Sequence, residues 1–143
     1  MKIRPVACFG LVVAVLAAGV PLLFAHHGSA AYDMTKEVVL KQAMVTKVLW
    51  ANPHTLLMLD VKDDQGNAQH WAGETGSLNS LYLAGWTRNS VAPGDMITVY
   101  IYRAKASAKV GIVTKVVLAD GSALYGPFGR QQVDGQFVAP SKK

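Results

Sequence analysis

A proline in the middle of the most strand-like part of the chain sets the tightest limit on its fold. Val48-Leu49-Trp50-Ala51-Asn52-Pro53-His54-Thr55-Leu56-Leu57-Met58-Leu59-Asp60-Val61 is apolar on both sides of Pro53. Proline has no N–H for a sheet ladder and pushes the preceding residue out of helical backbone, so no central strand or helix runs through this point. The stretch reads as strand, tight corner, strand, with His54 set at the corner.

The flanking segments extend the same pattern. Glu37 to Trp50 is rich in β-branched and apolar residues and predicts a long first strand, with Lys41 and Lys47 facing outward. Gln42 and Thr46 share the parity of Leu40, Met44 and Val48, so a bulge or bend near Ala43 is needed to keep an apolar face. Strand two runs from Thr55 to Lys62, with Leu57, Leu59 and Val61 inward and Asp60 and Lys62 outward. Asp63 to Asn67 is a polar hairpin loop, and Ala68 to Glu74 is strand three, with Trp71 on one face and His70, Ala72 and Glu74 on the other. Ser77 can cap a helix of about two turns carrying Leu78, Leu81 and Tyr82, which Gly85 can end. After the Pro93-Gly94-Asp95 turn, Met96 to Arg103 and Val110 to Leu118 supply strands four and five. The order β-β-β-α-β-β predicts an all-β fold with one short helix, an OB-fold-like five-stranded barrel. An open β-sandwich with one decorating helix is the alternative.

The ends behave differently. Lys2 and Arg4 precede an uncharged apolar run, followed by Pro21 and a short segment ending at Ala25. This is the layout of a Sec-type secretory signal peptide, and the run is shorter than the ~18 apolar residues of a spanning helix. The expected organisation is a signal peptide at 1–25, an extended histidine-bearing arm at 26–36, the barrel domain at 37–121 and a flexible tail at 122–143. The expected location is bacterial periplasm or secreted medium, with no membrane span after cleavage. The one cysteine, Cys8, leaves with the signal, so the 118 residues left of 143 have no disulfide or zinc–thiolate chemistry open to them. Lys2 and Arg4 leave too and no acid does, which takes the formal charge from +5 to +3. A nucleic-acid binder usually carries a concentrated basic stripe, and Leu56 to Leu59 offers aliphatics where stacking aromatics would stand.

Several motifs together resemble a family of small secreted bacterial proteins catalogued as a domain of unknown function. They are His26-His27-Gly28-Ser29, Asn52-Pro53-His54, Trp71-Ala72-Gly73-Glu74-Thr75-Gly76, Ala84-Gly85-Trp86-Thr87-Arg88 and Pro93-Gly94-Asp95. The likeness covers about residues 26 to 121. It implies a periplasmic location and an OB-like barrel, and supplies no activity and no site residues. The chain departs from the family pattern at Ala43, where a glycine is expected.

His26 and His27 are the sharpest chemical feature. Cleavage after Ala25 would give His26 a free α-amine beside its imidazole, with a second imidazole on His27. Amine and imidazole nitrogens chelate Cu(II) or Ni(II) in tetragonal geometry, and His54 can add another nitrogen if the arm folds back. The amine titrates at about 7.7–8.0, so capture would weaken in acid. Against this, two histidines on a loose arm are often only mild metal scavengers, and a lone corner histidine is often a hydrogen-bonded turn residue. Glu74 is a candidate base or ligand, although a structural role accepting backbone N–H bonds at the helix approach is the better expectation. Trp71 and Trp86 can line a binding face or simply pack the barrel. No serine elbow, phosphate loop or carboxylate pair appears, so no enzyme is expected. The primary expectation is a periplasmic OB-like binding module for an unidentified small ligand or periplasmic protein; the alternative is a copper or nickel binder using the arm and the Asn-Pro-His corner.

Overall fold

The computed structural model describes residues 29–106, 109–127, 131–133 and 136–138. The segment expected to be a signal peptide and the His26-His27 pair lie outside the described residues. A short 3-10 turn, Ser29–Ala31, leads into β1 (Tyr32–Leu49), β2 (Leu56–Lys62) and β3 (Ala68–Glu74). Helix α1 (Leu78–Leu83) follows, then β4 (Met96–Ala104), β5 (Val110–Val117) and β6 (Ala123–Tyr125). A separate hairpin pairs β7 (Gln131–Val133) with β8 (Gln136–Val138). The fold is mostly β with one short helix, and none of the described helices is long and apolar enough to cross a membrane.

The main sheet has six strands in the order β3-β2-β1-β4-β5-β6, each antiparallel to its neighbour. The two sides of this sheet also meet. Ala72, Gly73 and Glu74 of β3 pair in parallel with Val110, Gly111 and Ile112 of β5. β5 thus gives one edge to β4 and divides the other between β3 and β6, which pairs with Lys115–Val117. β6 falls in the segment expected to be tail; it is three residues long, too short for alternation to show.

β1 is long enough to serve two partners because it bends. Its register slips between Leu40 and Ala43 against β4, and again between Val45 and Lys47 against β2. Each slip shifts the inward parity, so Leu40, Ala43 and Val45 are buried and Val48 packs on the core. Gln42 takes a positive φ of 49° at the first slip, so the bend expected at Ala43 is made one residue earlier. Leu57, Leu59, Val99, Ile101, Val113 and Val116 complete the inner face. Leu81 of α1 and Trp86 are buried against one end of it. Ser77 caps α1, its hydroxyl accepting the Ser80 N–H at 3.3 Å, and Gly85 takes the left-handed conformation just past the helix.

Candidate functional site

The corner between β1 and β2 is tied to the helix rather than left as a loose loop. Asn52-Pro53 is a cis peptide, and the Asn52 side-chain oxygen accepts the Leu78 N–H at 3.0 Å. The first turn of a helix has N–H groups without intrahelical partners, and Asn52 satisfies one of them from 26 residues away. Trp50 meets Tyr82 edge-on, with ring centroids 5.7 Å apart and planes at 82°. Thr55 is fully buried and holds the next segment: its N–H donates to the Gly76 carbonyl at 3.0 Å and its carbonyl accepts the Thr75 N–H at 2.8 Å. His54 sits between these anchors, about one-third exposed.

Three segments converge there. The His54 Nδ1 lies against the Glu74 Oε1 at the end of β3. The other Glu74 oxygen, Oε2, accepts the Tyr32 hydroxyl at 3.0 Å. Burial, then the hydrogen bond and negative charge of Glu74, push the Tyr32 phenol from its usual 10.0 up to about 12. Glu74 therefore works through side chains, and the N–H-accepting task expected of it near the helix belongs to Asn52. A carboxylate that accepts a hydrogen bond from Nδ1–H fixes the tautomer whose lone pair is on Nε2, the arrangement that orients a metal-binding histidine. The cluster can hold a polar or cationic ligand at His54 with Glu74 as its support and Tyr32 as the clamp on Glu74. Tyr32 was not among the sequence candidates, because nothing local links it to a residue 42 positions away.

The other candidates lie elsewhere. Trp86 is buried in the core, and its indole N–H donates to the Tyr125 carbonyl at 2.9 Å. Its ring thus packs the core. Trp71 is partly buried against the core, with the Arg103 guanidinium 6.0 Å from its ring centroid. His70 is exposed and its Nδ1 meets the Asp60 carboxylate at 2.6 Å. Among the described residues no three His, Cys, Asp or Glu side chains gather as a metal set. His26 and His27, the remaining metal candidates, lie outside the described residues.

Comparison with curated proteins found no match, and neither did comparison with solved structures. A protein-family model matches residues 13–114, which include the corner, Glu74, α1 and most of the sheet. That span is well over half of the chain, and the protein accordingly belongs to DUF6152, a family of unknown function.

Proposed function

We propose that this DUF6152 protein is an exported binding module with an OB-like barrel, and that the Tyr32–His54–Glu74 rim is its ligand site. Three features support the barrel reading: the helix between strands three and four, the bent first strand shared by two partners, and the β3–β5 seam that joins the sheet's two sides. The secretory layout of residues 1–25 supports export to the periplasm or medium. The observation that carries the site is the convergence of an imidazole, a carboxylate and a phenol from separate segments on one partly exposed rim.

The pairing of His54 with Glu74 favours one ligand class, Cu(II) or Ni(II). Tyr32 opens β1 and touches Glu74, so the chain enters the domain at this rim. His27 is five residues before Tyr32 in the sequence, a tether of at most ~18 Å from a residue of this rim. In this reading His26 and His27 supply two imidazoles and the new α-amine, His54 a third imidazole, and Glu74 orients the last. The test is elemental analysis and N-terminal mass of protein exported with its own signal, followed by Cu(II) calorimetry. One ion per chain, lost in His26→Ala and weakened about 10–100-fold in Glu74→Gln, is the expected result. Weak binding indifferent to both changes would remove the metal reading, and a retained Met1 would remove the chelating amine.

A further inference from the structure

The far end of the β2–β3 ladder holds a second concave site, distinct from the rim. Register pairs set Met44 of β1 directly opposite Met96 of β4 on one side and Asp60 of β2 on the other. The two thioether side chains are 41% and 49% exposed, unusual for large apolar groups standing side by side. They lie in a pocket of about 370 Å³ completed by Lys41, Val61 and Lys62, with Asp60 at its side. The pocket lies beside the first slip in β1, and Gln42 at that slip also lines it.

The chemistry is divided. Met44 and Met96 supply an exposed apolar floor, and methionine is the side chain best able to re-form around ligands of differing shape. Lys41 and Lys62 bring ammonium groups from two adjacent strands, where each can meet an anionic head without a fixed geometry. Asp60, the one acid of the pocket, meets the His70 imidazole on the β3 side, and two lysines against this one carboxylate leave the lining positive by one charge. The volume falls within the ~300–1,000 Å³ of small-ligand pockets.

We propose that this pocket binds a soluble medium-chain alkyl carboxylate, its tail on the two methionines and its head between Lys41 and Lys62. The probe is sodium decanoate below its micelle concentration, titrated into the full chain by calorimetry. Saturable one-to-one binding is expected, weakened about tenfold in the Lys41→Gln/Lys62→Gln double variant and similarly by high salt. Met96→Asp, which places a carboxylate in the floor, should abolish it; both variants alter exposed side chains, and circular dichroism checks that each is folded. Absence of saturation at millimolar decanoate overturns the proposal, as does binding that survives Met96→Asp. Equal affinity for decanol overturns the role of the lysines. Sedimentation with anionic phospholipid vesicles in the absence of decanoate binding would assign the surface to a bilayer and overturn it as well.

Discussion

Gln42 is the one non-glycine residue with a positive φ among the described residues. An L side chain in the left-handed region costs roughly 1–2 kcal/mol, and glycine escapes most of this at some entropic cost in the unfolded chain. Gln42→Gly is therefore expected to stabilise the protein by about 0.5–1 kcal/mol, read as a higher urea midpoint. Tyr32 gives a pH signature. Between pH 10 and about 12 the folded phenol keeps a proton that the unfolded chain has lost, so stability falls as pH rises through that window. The advantage of the natural protein over Tyr32→Phe, about 1 kcal/mol from one hydrogen bond, is full below pH 10 and shrinks as pH climbs through about 12. Urea midpoints of both proteins across that range check it. At this scale the sequence was partly legible. His54 and Glu74 stand out by type and position, but their contact joins a corner to a strand end, and Tyr32 is brought to Glu74 only by the fold.

At the scale of elements, local pattern carried a good deal. Alternation in β2 and β3 placed their inner faces, and the clash of parity at Leu40, Gln42 and Met44 foretold a slip in β1. The helix followed from Ser77 and Gly85. What local pattern missed were contacts made at a distance. Asn52 reads as a turn residue and also caps α1, so Asn52→Ala should cost about 1 kcal/mol and lower the thermal midpoint. β6 escapes notice because three residues cannot show a period, yet it supplies the carbonyl for the Trp86 indole. Gly126 lets the chain turn in beside β5, where a Cβ would collide with the Val113 carbonyl. Ending the chain at Ser122 should destabilise the domain by about 1–3 kcal/mol, with tryptophan emission shifted to the red as Trp86 loses its partner.

For the molecule as a whole, closure depends on a narrow seam. Gly73 and Gly111 stand opposite one another where β3 meets β5. A Cβ on Gly111 would lie 2.7 Å from the Tyr102 carbonyl oxygen, and one on Gly73 2.7 Å from a Val113 methyl. Gly111→Ala should therefore cost about 1–3 kcal/mol and speed amide exchange at Ala72, whose N–H donates to the Lys109 carbonyl at 3.0 Å. Unchanged exchange at Ala72 would mean that the seam adjusts without strain.

The position of β5 along the chain has a consequence for biogenesis. Its pairings with β4 and β3 use residues up to Val117, and β6 ends at Tyr125 of 143. A nascent chain cannot close the β3–β5 seam until Ile112 has been synthesised, whereas β1, β2 and β3 can pair once Glu74 has been made. Closing the ring of paired strands is thus a late step, taken on a β1–β2–β3 meander that can already have formed.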